Sequence, residues 1–357
     1  MPISPFGRLL AACGAILAAF VTGRGLACEA LQPGEPVDYG ELAFFPDRWR
    51  EADVDMLMVP WYGEHVVFLT TDADFDGRVM RRLAERLDGA WALYGELTGQ
   101  EPRLFKHLEG KATITAVPGS ELTCGLGCGF VGWTGIEVAG FYDADYPLLQ
   151  SQPETMPHYY FYEIGRNYYT FGDRHSLFTT GYAVFMRYVC MDALECEDPD
   201  YPTREVIEKA EKLFAETDIP YLRGFTTLGG LGEKDHRLED ADGRPITPSD
   251  QPVLYASAML KLWREQGGNA WLKRFFRHLA ACEEIEPKDA EAALQQSLNW
   301  LVAASLAAGE DLTELFVDRW RMPLGAEAQQ ALSSIDWGDP DADAAALVGS
   351  IPLETSP

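Results

Sequence analysis

Pro157-His158-Tyr159-Tyr160-Phe161-Tyr162-Glu163-Ile164-Gly165-Arg166-Asn167 is the stretch whose reading decides the fold. It is dominated by aromatics and carries one acid, Glu163, and one base, Arg166. At helical spacing Tyr162 and Arg166 stand four residues apart and Glu163 and Arg166 three apart, so the guanidinium can lie beside the carboxylate on one face. A buried carboxylate without a partner is strongly destabilising, and Arg166 supplies a fixed positive charge for it. Such a pair also offers planar, directional donors to a bound anion or a peptide terminus. An ordinary internal salt bridge joining a helix to a sheet is the simpler account of the same two residues.

Working outward toward the N-terminus, residues 65–70 form a β-branched and aromatic run that predicts a strand. An amphipathic helix follows over 76–97, ended by Gly99. Strands are expected at 111–117 and at 130–138, the latter inside a glycine-rich stretch. Toward the C-terminus the spacing predicts helices at 159–170, 177–191, 204–216, 253–266, 270–281 and 290–308, with shorter pieces at 312–320 and 326–332. Residues 218–251, rich in Gly, Asp and Pro, read as a long surface loop. The expected fold class is α+β. Its parts are a signal peptide over 1–27, a sheet-plus-helix subdomain over 28–175, a helical subdomain over 176–336 and an irregular acidic tail over 337–357.

The signal peptide rests on Arg8, the apolar run 9–21 and the small-x-small triplet Gly25-Leu26-Ala27 before Cys28. Secretion or periplasmic release follows from it. Lipid anchoring at Cys28 is the alternative, although Gly25 stands where lipidation signals usually place an aliphatic residue. The chain carries a formal net charge of −27, and removing Arg8 and Arg24 with the leader takes this to about −29. So acidic a surface repels nucleic acid and anionic membranes. No other apolar run is long enough for an integral membrane segment. In an oxidising compartment Cys124 with Cys128 and Cys190 with Cys196 are the candidate disulfides, leaving Cys28 and Cys282.

Taken in order, the segments from about 65 to 332 resemble the gluzincin branch of the zinc metallopeptidases. In that family a twisted sheet precedes a helix bearing H-E-x-x-H, whose two histidines hold Zn²⁺ while the glutamate polarises water. Here the register reads Tyr162-Glu163-Ile164-Gly165-Arg166. The family's second helix carries a glutamate ligand in a pattern like E-G-x-A-x-Y, and Thr179-Thr180-Gly181-Tyr182-Ala183 matches it with Thr180 at the ligand position. The run 307–316, with Trp320 and Pro323-Leu324, looks like the closing helices of such secreted peptidases. The resemblance implies a zincin-like fold in which Tyr162, Arg166 and Thr180 replace all three ligands, so that no metal cofactor is expected. It also implies a cleft lined by Tyr162, Arg166, Asn167, Thr180 and Tyr182, with Gly132 and Gly135 in the edge strand along which a peptide substrate would lie. The function so implied is an exported pseudopeptidase that binds a peptide or protein. The alternative is a working hydrolase, with a nonstandard metal site or with Glu163 as the catalytic general base beside Tyr162 and Arg166.

A rescued metal site could draw on His158, Glu163 and His175. Five residues along a helix place His158 and Glu163 about 140° apart, which argues against a shared ion. Asp72-Ala73-Asp74-Phe75-Asp76-Gly77 opens like a calcium loop, but Leu83 stands where the bidentate glutamate belongs, and caps for the following helix explain the acids. The run Gly125-Leu126-Gly127-Cys128-Gly129 lacks the following helix of a phosphate loop; the resemblance implies that it belongs to the edge strand, its glycines letting two backbones approach closely, and a bulged or tightly turned strand is the simpler account. Tyr159, Tyr160, Tyr168 and Tyr169 flank the central helix as packing or as the rim of a cleft.

Overall fold

The computed structural model describes residues 29–171, 177–226, 251–339 and 342–353. The expected signal peptide, Cys28, His175 and most of the expected loop lie outside the described residues. Seven strands, β1 (Val37–Asp38), β2 (Leu57–Tyr62), β3 (Val66–Thr70), β4 (His107–Leu108), β5 (Lys111–Ala116), β6 (Gly127–Gly129) and β7 (Ile136–Val138), make one mixed sheet. Its order is β1-β2-β3-β5-β7-β6, with β4 on β5. The central strands β3, β5 and β7 run parallel, and β6 closes the edge antiparallel to β7. A short helix, α1 (Pro46–Glu51), lies between β1 and β2, and α2 (Gly77–Thr98) makes the crossover from β3 to β5. Asp76 caps α2 by accepting from Arg78 N, and Asp72 accepts from Asp74 N, so these acids serve the turn and the helix start.

Alternation along the strands separates two cores. Val66 and Phe68 of β3, Ile114 and Ala116 of β5, and Ile136 and Val138 of β7 face the helices in the main core. Val67 and Leu69 face the other way, against Tyr39, Trp49, Met58 and Leu122. Glu137 belongs to that second face. It accepts from Tyr39 Oη at 2.7 Å and Phe44 N at 2.8 Å, which ties the N-terminal segment to the sheet, and burial raises its carboxyl pKa.

The helices continue with α3 (Tyr146–Ser151), α4 (Tyr159–Tyr168), α5 (Leu177–Ala193), α6 (Tyr201–Ala215), α7 (Tyr221–Gly224), α8 (Gln251–Glu265), α9 (Asn269–Ala281), α10 (Ala290–Ala308), α11 (Ala326–Ser333) and α12 (Ala344–Ser350). The long ones agree with the sequence expectation within three residues at either end. The main core runs unbroken from Phe68 in the sheet through Tyr160 and Tyr182 to Tyr255, Phe276 and Trp300, so both expected subdomains share one interior. Among the described residues no helix is long and apolar enough to cross a membrane.

Three expectations need correction. The strand expected at 130–138 is confined to β7 at its end, with β6 lying before the range, because Gly132 and Gly135 adopt φ of 75° and 123° and turn the chain between β6 and β7. The tail is not irregular over its whole described length: α12, capped by Asp343, packs Ala344 and Val348 into the main core against α9 and α10. The pair Cys190 and Cys196 forms no disulfide, and both thiols are free. Cys190 sits inside α5, where the Tyr94 side chain reaches it, whereas Cys196 lies beyond the helix end with its thiol on Leu194 O. Cys124 and Cys128 are bonded, with Cα atoms 5.7 Å apart.

Candidate functional site

The short helix α4 lies across the edge of the sheet and presents Glu163 to β6. The carboxylate is 5% exposed. A Cβ placed on Gly127 would stand 2.7 Å from Oε1, and one on Gly129 would stand 2.8 Å from Oε2. Both glycines are therefore required by the close approach of the carboxylate to the strand. Hydrogen bonds from Ala139 N to Leu126 O and from Phe130 N to Gly135 O fix which residues of β6 pair with β7. Gly127 and Gly129 fall in the alternate register, so their backbone groups point toward the open edge.

Arg166 completes the arrangement. Its Nε lies 3.7 Å from Glu163 Oε2 and donates to Gly129 O at 3.2 Å, while Nη1 donates to Tyr162 Oη at 3.5 Å. One turn of the backbone later, Gly132 N donates to Arg166 O at 3.0 Å. Asn167 donates from Nδ2 to Phe130 O at 2.9 Å and to Gly135 O at 3.2 Å. The C-terminal half of α4 is thus bonded to the end of β6 and to the turn that leads into β7. Among the described residues Glu163 Oε2 has no hydrogen-bond partner. Burial raises the Glu163 carboxyl to about 7, against the opposing pull of Arg166 and the Gly129 backbone.

Of the expected cleft residues, Tyr162, Glu163, Arg166, Asn167, Gly132 and Gly135 converge. Thr180, half-buried in α5, makes no hydrogen bond to Tyr162, Glu163 or Arg166 among the described residues. Tyr182 is displaced from the cluster: its ring packs 5.4 Å from Tyr169 and 5.5 Å from Phe276, between the helices. His158 turns to Asp198, with Nδ1 at 3.2 Å from Oδ1. His175 lies outside the described residues, among which no group of three His, Cys, Asp or Glu side chains could hold a metal ion.

Sequence reasoning passed over three features. Gly127 and Gly129 were legible only as part of a glycine-rich strand, and nothing in the spacing paired them with Glu163. Asp145, 5% exposed, accepts from both Tyr159 and Tyr160, so those tyrosines support the start of α4. An aromatic cavity between α5, α8, α9 and α10 includes Tyr169 and Tyr182 and has no local motif to announce it.

No protein-family model matches the chain, and no curated protein does. Two solved structures are similar to it, each at 10% identity. One is described as the crystal structure of a functionally unknown conserved protein from Bacillus anthracis str. Ames, with a TM-score of 0.48 over 84% of this chain and 57% of that one. The other, a mutant of a protein so described, gives a TM-score of 0.46 over 82% and 56%. The chain thus spans little more than half the length of those it is similar to.

Proposed function

We propose that the protein is an exported, non-catalytic binding protein on a zincin-like frame, in which the Glu163–Arg166 couple occupies the place of a metal centre. The observation that supports this most directly is the sealing of Glu163 between α4 and β6, with Arg166 Nε at 3.7 Å. A general base must meet its substrate. Glu163 meets two glycines and a guanidinium. The edge of β6 that faces away from β7 gives a peptide or protein segment backbone groups to pair with, as in strand addition. Arg166 already takes Gly129 O, so such a ligand would pair at Gly127 or displace the guanidinium.

Elemental analysis of protein purified without chelator or histidine tag tests the reading, which expects no stoichiometric zinc. Finding one zinc per chain would overturn it. The combined substitution Tyr162→His, Arg166→His and Thr180→Glu is expected to create zinc affinity, read by calorimetric titration. A folded triple variant that ignores zinc would show that these positions do not correspond to the family's ligands.

The second reading, a hydrolase with Glu163 as general base, is favoured by the carboxyl being raised to about 7, the range suited to that task. Peptide hydrolysis by the purified chain that disappears in Glu163→Gln would establish it in place of the first.

A further inference from the structure

Away from the Glu163 couple, the helical half encloses a cavity of about 220 Å³. Its wall is aromatic: Phe171 stacks on Phe276 at 4.9 Å, Tyr182 meets Phe276 edge-on at 5.5 Å, and Tyr255 lies 4.9 Å from Trp300. Apolar cavities of about 150 Å³ are known to admit benzene. The larger space here takes one six-membered ring with a short arm.

The polar part of the lining has a single sign. Among the described residues no Lys, Arg or His lines the cavity, whereas Glu283 and Glu284 do, and both are exposed at its mouth. Helix α9 ends at Ala281, and Leu279, Ala280 and Cys282 at that end also line the space. The partial negative charge of a helix C-terminus therefore falls at the same opening. Burial pushes the Cys282 thiol up to about 12, so it adds no competing anion and remains a weak donor. Asn299, 6% exposed, donates from Nδ2 to Glu283 O at 2.9 Å, which fixes the orientation of its amide and leaves Oδ1 a buried acceptor with no partner among the described residues.

We infer that this cavity is a binding site for a small aromatic amine in its ammonium form, the ring among the aromatic side chains and the cation at the Glu283–Glu284 mouth. Aromatic faces attract cations, the acids and the helix end add to that attraction, and a chain of net charge −27 draws cations from solution. An anion of the same shape meets repulsion from each of these groups. The inference goes beyond the reading of the Glu163 site and uses none of its residues.

The test is calorimetric titration of the full chain at low ionic strength with phenethylamine, 2-phenylethanol, 3-phenylpropionate and ethylammonium. Quenching of tryptophan fluorescence, to which Trp300 contributes, gives a second readout. Phenethylamine is expected to bind one to one, about tenfold more tightly than 2-phenylethanol, the scale of one charge-assisted contact. The anion and the ring-less cation are expected to be weaker still. The double substitution Glu283→Gln/Glu284→Gln changes only exposed side chains. It should bring the amine to the affinity of the alcohol and leave the alcohol unchanged. Ala280→Trp, at the exposed rim, should block every probe while the melting temperature is retained. Equal affinity for amine, alcohol and anion would overturn the assignment, as would an equal loss for all probes in the glutamine double variant. An absence of binding by every probe up to millimolar concentration would overturn it as well.

Discussion

At the scale of single residues, Glu163 holds a carboxyl raised to about 7, where the ordinary value is 4.5. Between those values the folded chain keeps a proton that the unfolded chain has released. The stability this group contributes is therefore complete below about pH 4.5 and is lost as pH rises through 7. A shift of that size corresponds to about 3 kcal/mol. Glu163→Gln keeps the shape and removes the titration, so at pH 8 it should stabilise the chain by up to about 3 kcal/mol and at pH 4 by almost nothing. Urea unfolding at the two pH values measures this, and destabilisation at pH 8 would contradict it. Arg166→Ala is expected to act in the opposite sense. At pH 8 it leaves Glu163 charged and unpaired, costing about 2 kcal/mol, and at pH 5 it costs less because the carboxyl is protonated. The three-and-four spacing made the proximity of Tyr162, Glu163 and Arg166 legible in the sequence. The depth of burial was not legible, because it depends on a strand that lies 34 residues earlier (163 − 129).

At the scale of elements, α4 and β6 are held at their separation by the absence of two side chains. The three nearest contacts a Cβ on Gly127 would make are with the side chain of Glu163, at 2.7, 3.0 and 3.2 Å. On Gly129 the added atom would also stand 3.0 Å from the Glu163 backbone oxygen. The two positions should respond differently. Gly127→Ala is expected to cost about 1–3 kcal/mol by overpacking and to be largely rescued by Glu163→Ala. Gly129→Ala should stay costly in the same double variant, and Gly125→Ala, with only one atom as near as 3.8 Å, should be close to neutral. Equilibrium unfolding of the two cycles measures the difference, and equal rescue at both positions would refute this account of the seam. Elements with a sustained period were readable from sequence for the reason that α2 shows: one face, Val79, Leu83, Leu87, Ala90 and Tyr94, is buried throughout. The strand β2 was not readable, because Pro60 interrupts the ladder pattern in the middle of Leu57–Tyr62. The helix α12 escaped notice because its acidic, proline-containing surroundings hid a short apolar stripe that acquires meaning only against α9 and α10.

At the scale of the whole molecule, buried acids oppose one another across the pH range. Burial raises Glu137, Asp145 and Glu163, and each therefore loses stability as pH climbs away from the acid side. Burial would raise Asp198, Glu208 and Glu211 too, but their donors outweigh it and all three sit below the ordinary values. The donors are His158 and Asp200 N for Asp198, Arg204 and Arg264 for Glu208, and Arg319 and Trp320 for Glu211. These three contribute above their unfolded values and lose that contribution as pH falls through the lowered ones. His278, lowered by burial and by Arg277 and Arg274, favours the higher pH within its own window. Three raised carboxyls outnumber it. Self-repulsion of a chain at −27 acts in the same direction as those carboxyls, since it grows as pH moves above the isoelectric value of about 4.5. Stability is therefore expected to peak on the acid side of neutrality, between about pH 4.5 and 6.5, and to fall toward pH 8. Salt separates the two causes, because it screens the surface repulsion and scarcely touches the buried groups. Melting temperatures measured from pH 4 to 9 with and without 0.5 M NaCl, roughly a 4 Å screening length, should show the fall shrinking in salt without disappearing. The part that survives salt should be smaller in Glu163→Gln. A melting temperature that rises steadily to pH 8, or a fall abolished by salt alone, would show that buried carboxyls do not govern the alkaline limb.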